Sequence, residues 1–125
     1  MKIEGKVASG LGKAYYFLSQ ECYKSEFKKN CGFIPFPGTL NVMVSEKYLD
    51  EISQIKNNCE NIIKPDDEDF GAVKYIEAKL NNEISGDIVF PDKTTHEENY
   101  LEFISKDKLR DLLNLKDGDV VTLEF

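Results

Sequence analysis

Short stretches of period-two alternation recur along this chain, and Gly, Pro or a polar pair cuts each one off before it can lengthen. Ile3, Gly5 and Val7 alternate with polar neighbours, and Tyr15, Phe17 and Ser19 resume the pattern beyond a glycine-bearing loop. "TLNVMV" follows a Pro-rich corner, and "AVKYIEAKL" and "EISGDIVFP" flank the turn pair Asn81-Asn82. Near the end, "LEFIS" puts Leu101, Phe103 and Ser105 on one side and Glu102 and Ile104 on the other, while "VVTLEF" follows an Asp117-Gly118 turn. Helical spacing is confined to three short segments. These are "ECYKSEFKKNC", closed by Gly32; Tyr48, Leu49, Ile52 and Ile55 behind a Ser45 cap; and "KLRDLLNL", with Ser105 as its cap and Leu109, Leu112 and Leu113 facing inward. Six or seven short strands with few helices predict a mainly-β barrel rather than a βαβ layer fold.

A chain of 125 residues, 41% hydrophobic and 31% charged, predicts one globular domain over 1–125. Cys22, Cys31 and Cys59 form no CxxC pair and His96 is the only histidine, so reduced thiols are expected and a zinc site is not. The amino terminus lacks an apolar signal core, and no run approaches the ~18 apolar residues of a membrane span. A cytoplasmic protein with no membrane partner is therefore expected. The net charge of −7 argues against nucleic acid, whose nonspecific binding rests on Lys and Arg neutralising phosphates. A compact anion held by backbone amides and a cation is compatible with that charge.

Four stretches have the residue types for such a ligand. In "SGLGKAYY", Gly10 and Gly12 let backbone approach a phosphate and Lys13 offers a point charge, although a plain β-turn explains the same glycines. The segment is neither a Walker A loop nor a dinucleotide fingerprint. In "PFPGTLN", Thr39 and Asn41 lie two apart and share a strand face. Both present hard oxygens suited to Mg²⁺, which takes one or two protein ligands and completes its shell with water and phosphate. An ordinary strand threonine beside a turn asparagine is the plainer account. In "PDKTTHEENYLEFIS", Glu102 either faces water or points into a pocket as a proton acceptor, and His96 is a second candidate base or a surface residue. In "KDKLRDLLNL", the start of a helix at Asp107 to Arg110 offers amides to an anion or a base edge, while a capped amphipathic helix accounts for the leucines. The acids between Pro65 and Asp69 read as a solvated loop or, less simply, a metal site.

The order of these stretches along the chain is VxSGLGxAxYF, GFxPxPGTLN, FGAVK, PxKTxH, LExIS and KLRxxLxLKDGDxV. In that order the sequence resembles the archaeal CTP-dependent riboflavin kinases from Gly5 to Val121. The resemblance implies a six-stranded cradle-loop barrel that transfers the γ-phosphoryl of CTP to the 5′-hydroxyl of riboflavin, giving FMN and CDP. It places nucleotide contacts on Gly10, Leu11, Gly12, Lys13, Ala14 and Tyr15 and on Asp107, Lys108, Leu109 and Arg110. It places metal ligands on Thr39 and Asn41, for one Mg²⁺ bridging the CTP phosphates, and flavin contacts on Thr94 and Glu102. Phe103 departs from the aliphatic residue common at its position, and the acidic loop is variable.

Phosphoryl transfer depends on positioning and charge neutralisation, so Glu102 is read as orienting or deprotonating the acceptor hydroxyl. Phe33, Phe36 and Tyr15 are candidates to cover a ring, with core packing the commoner fate of such aromatics. A monomer is expected. The segment "LRDLLNLKDGDVVTLEF" also resembles the last unit of small barrel-type DNA-binding regulators, and a noncatalytic flavin- or nucleotide-binding module is a further alternative.

Overall fold

Strand β1 (Lys2–Ala8) sends Ile3, Gly5 and Val7 inward and leaves Lys2, Glu4 and Lys6 in solvent, as its alternation requires. The structure is a computed structural model in which residues 1–9, 18–64, 71–91 and 99–125 are described. Helix α1 (Glu21–Cys31) follows, ending at Gly32, and then β2 (Leu40–Val44). A single 3₁₀ turn (Glu46–Tyr48) leads into α2 (Leu49–Asn58), with the Ser45 hydroxyl accepting from the Lys47 amide. Five strands and one helical turn complete the order: β3 (Ile62–Ile63), β4 (Val73–Leu80), β5 (Ile84–Pro91), β6 (Tyr100–Ile104), α3 (Leu109–Leu112) and β7 (Val120–Glu124).

The sheet runs β3-β4-β5-β6-β2-β1-β7, and β7 also pairs with β4 through Lys79–Glu124 and Leu80–Leu123. That second pairing closes six strands into an antiparallel barrel and leaves β3 as an additional strand outside the ring. Closure removes the exposed edges that an open sheet would present. Ile3, Val7, Val42, Leu80, Ile88, Phe103 and Leu123 fill the interior. A smaller apolar cluster lies outside the wall, where Tyr23 and Phe27 of α1 cover Val89 and Ile104. Gly86 makes room for the inward Phe103: a β-carbon there would sit 2.5 Å from the Phe103 ring and would also collide with the Ile104 carbonyl. A bulky aromatic at 103 is thus matched by the absence of a side chain on the neighbouring strand.

Several expectations change. Helix α3 starts at Leu109 with Lys108 at its cap, so Ser105 is not the cap; its hydroxyl instead donates to the Asp107 carbonyl and accepts from the Asp107 amide. Leu112 is 54% exposed rather than inward. In so short a helix only Leu109 and Leu113, four apart, reach the core. Ser19 lies in a turn just before α1, not in a strand. The pair Ile62–Ile63 forms a strand that the alternation did not signal, being too short to show a period. The strand expected at Tyr15–Phe17, the acidic loop and His96 lie outside the described residues.

Candidate active site

The corner "IPFPGT" delivers the chain to β2. Pro35 is buried, the Phe36 amide donates to the Ser105 carbonyl at 2.8 Å, and the Gly38 amide closes a tight turn onto the Phe36 carbonyl at 2.7 Å. Thr39 and Asn41 therefore start β2 beside the end of β6. Leu40 and Val42 point into the barrel, which turns Asn41 to the outer wall. On β6, Leu101 and Phe103 point inward and Glu102 outward, next to the apolar cluster under α1. That neighbourhood leaves Glu102 only 8% exposed.

Antiparallel register brings these groups together. Asn41 is the cross-strand partner of Glu102 on one side and of Ala8 on the other. Thr39 Oγ1 donates to Glu102 Oε1 at 3.3 Å. A hydroxyl has one proton and two lone pairs, so a threonine whose proton points at a carboxylate can still offer oxygen to a cation. Across the Asn41 partner, the Ala8 carbonyl accepts from Arg110 Nη2 at 3.1 Å. Ala8, Asn41 and Glu102 are thus register neighbours on β1, β2 and β6, and Arg110 reaches the Ala8 carbonyl from α3.

Arg110 is itself held. Nη2 also contacts Asp117 Oδ1 at 2.5 Å, and the other oxygen of that carboxylate accepts from Ser9 Oγ at 2.6 Å. These two hydrogen bonds, the serine's first, hold the Asp117 carboxyl below the usual carboxylate range. Asp107 and Lys108 are exposed, and Lys108 pairs with Asp111 at 3.6 Å. The Leu109 side chain is buried in the barrel core, so only its backbone is available to a ligand. Gly10 to Tyr15 and Thr94 lie outside the described residues. Phe33 packs on the outer apolar cluster and Phe36 is half-buried at the corner.

Among the described residues there is no group of three or more His, Cys, Asp or Glu able to hold a metal. Among the described residues, a cation at this corner would rest on Thr39 and Asn41 beside the Glu102 carboxylate bonded to Thr39, a sparse oxygen set that suits Mg²⁺ shared with a phosphate ligand. A cleft of about 670 Å³ lies between α2 and β4, lined among others by Met1, Glu51, Asn58 and Ile76, and contains none of these residues. Among the described residues no helix is long and apolar enough to cross a membrane.

Sequence reasoning passed over Ser9 and Asp117, reading the latter only as a turn residue. It also passed over Asp87, a 3% exposed acid on β5. The signal for Asp87 was an acid at an outward strand position followed directly by the apolar run Ile88-Val89-Phe90.

Oxygen donors of Thr39, Asn41 and Glu102 and the guanidinium of Arg110 are residue types compatible with an oxyanion and a hard cation. Comparisons with known proteins give the family. The family model for the CTP-dependent riboflavin kinase domain, also described as domain of unknown function DUF120, matches residues 7–125. A riboflavin kinase of Methanobrevibacter smithii is 70% identical over 125 residues, covering the whole of both chains. One from Methanosphaera stadtmanae is 39% identical over 130 residues, covering all of this chain and 98% of that one. One from Saccharolobus solfataricus is 41% identical over 128 residues, covering 99% of this chain and 73% of that one. The chain belongs to the CTP-dependent riboflavin kinase family.

Proposed function

We propose that this protein transfers the γ-phosphoryl group of CTP to the 5′-hydroxyl of riboflavin, releasing FMN and CDP. The family and its relatives named riboflavin kinase support the reaction class. The single observation that carries the site is the cross-strand pairing of Asn41 with Glu102, with Thr39 hydrogen-bonded to that same carboxylate. The match to a kinase family also weighs against the DNA-binding and noncatalytic readings.

Thr39 and Asn41 are the residues to hold Mg²⁺, which when bound with the nucleotide supplies charge neutralisation at the phosphates. The chain's own groups do the rest. Arg110 presents guanidinium donors to the nucleotide, and Asp107, Lys108 and the Leu109 backbone border it. Gly10, Leu11, Gly12, Lys13, Ala14 and Tyr15 contribute amides and one cationic side chain to the phosphates. Thr94 and Glu102 contact the flavin. Glu102 orients the 5′-hydroxyl and takes its proton as the new O–P bond forms. The bond from the γ-phosphorus to the bridging oxygen breaks, and CDP leaves with that electron pair. Little base strength is needed, because the transition state is loose.

The test is to incubate the protein with riboflavin, Mg²⁺ and each of CTP, ATP, GTP and UTP, and to measure FMN. FMN formed with CTP well above the other three is expected. FMN from ATP but not CTP would contradict the donor, and no FMN from any would contradict the activity.

A further inference from the structure

The Asp117 carboxylate uses both of its oxygens. Oδ1 lies 2.5 Å from Arg110 Nη2, and Oδ2 accepts from Ser9 Oγ at 2.6 Å. Its place does not depend on Arg110. Gly118, at φ 92°, forms a turn that a side chain would strain, and the turn is bonded to β1 from both sides. The Gly118 amide donates to the Val7 carbonyl at 2.8 Å and the Val7 amide donates to the Asp119 carbonyl at 2.8 Å. Asp117 is thus built on the barrel wall, and Arg110 comes to it from α3.

This arrangement adds little to folding. The pair is well exposed, at 34% and 56% for the two side chains, and exposed ion pairs contribute little to stability. Its effect falls on the arginine. Nη2 spends its two protons on Asp117 and the Ala8 carbonyl, and among the described residues Nε and Nη1 have no partner. The guanidinium is fixed through Nη2, and its Nε–H and Nη1 protons, which point to different sides, are left for separate acceptors.

We infer that Asp117 is a positioning residue for nucleotide binding, acting through Arg110 by fixing the guanidinium at Nη2 so that its remaining donors, on Nε and Nη1, meet separate anionic or carbonyl oxygens of the cytidine nucleotide. The inference rests on the proposed function, since it takes CTP and CDP as the ligands. Ser9, the chain neighbour of Gly10, anchors the far side of the same carboxylate. An arginine ordered before the ligand arrives loses less side-chain freedom on binding, and the benefit is equal in ground and transition states. Losing Asp117 therefore raises the KM for CTP and leaves kcat and the KM for riboflavin nearly unchanged.

The experiment is a double-mutant cycle read by CDP titration, beside ¹⁵N relaxation of the Arg110 Nε–H in the free protein. Asp117→Ala weakens CDP binding about fivefold to tenfold, the factor that corresponds to ordering one long side chain. In an Arg110→Ala background the same substitution has no further effect. Arg110 Nε–H becomes mobile in Asp117→Ala, and Asp117→Asn, which keeps one acceptor oxygen, recovers part of the affinity. An equal loss in both backgrounds, or an Arg110 Nε–H as ordered in the variant as in the wild type, overturns this inference alone. A wild-type protein that binds no CDP overturns it together with the proposed function.

Discussion

Asn41 and Glu102 are direct cross-strand partners, so an amide and a carboxylate share the outer wall at the corner where the Pro-rich turn enters β2. Thr39 ties itself to the same carboxylate at 3.3 Å. Glu102 thereby borders both the proposed metal ligands and the proposed flavin site. For Glu102→Gln, kcat for FMN formation falls by roughly 100-fold, the lower end of what a positioned proton acceptor contributes. The KM for CTP stays close to the wild-type value. Steady-state kinetics checks both, and an unchanged kcat would remove Glu102 from the chemistry.

Asp87 provides a prediction about pH. Burial pushes its carboxyl up to about 6, Glu77 directly opposite adds to the rise, and a hydrogen bond with Cys31 opposes it. An unfolded aspartate titrates near 3.9. Between about 4 and 6 the folded protein therefore binds the extra proton, and stability falls as pH rises through that window, by on the order of 2–3 kcal/mol. Asp87→Asn removes that dependence. Urea unfolding at pH 7.5 shows the variant more stable than wild type, and at pH 4.5 the difference shrinks toward zero. A variant no more stable at pH 7.5 would contradict the account.

Gly86→Ala places a methyl group against the Phe103 ring and the Ile104 carbonyl. Overpacking of this kind costs about 1–3 kcal/mol. Thermal unfolding shows the loss as a Tm lower by roughly 5–15 °C. Adding Phe103→Leu recovers part of it, because the ring is one of the two obstacles. A Tm equal to wild type for the single variant would contradict the close approach.

Much of the barrel was legible because its strands are long enough to show a period. Alternation located β1, β2, β4, β5, β6 and β7 within a residue or two, and Asn81 and Asn82, both at positive φ, mark the β4–β5 turn as their identity suggests. What alternation cannot reveal is a two-residue strand such as Ile62–Ile63 or the inward limit of a one-turn helix, which left Leu112 misplaced. The site was legible in part. Thr39 and Asn41 share a face by spacing alone, but their approach to Glu102 is set by the β2–β6 register, a relation between residues some sixty positions apart along the chain. Asp117 was missed for the same reason: its partner Ser9 is 108 positions away.

Thr39→Ala and Asn41→Ala test the central claim, that two oxygens at the start of β2 hold the cation the reaction needs. The measurement is FMN formation from riboflavin and CTP as a function of Mg²⁺ concentration, with circular dichroism to verify the fold of each variant. The account predicts native circular dichroism, loss of most turnover at low Mg²⁺, and partial recovery as Mg²⁺ is raised. Near wild-type turnover in both variants at every Mg²⁺ concentration would contradict it.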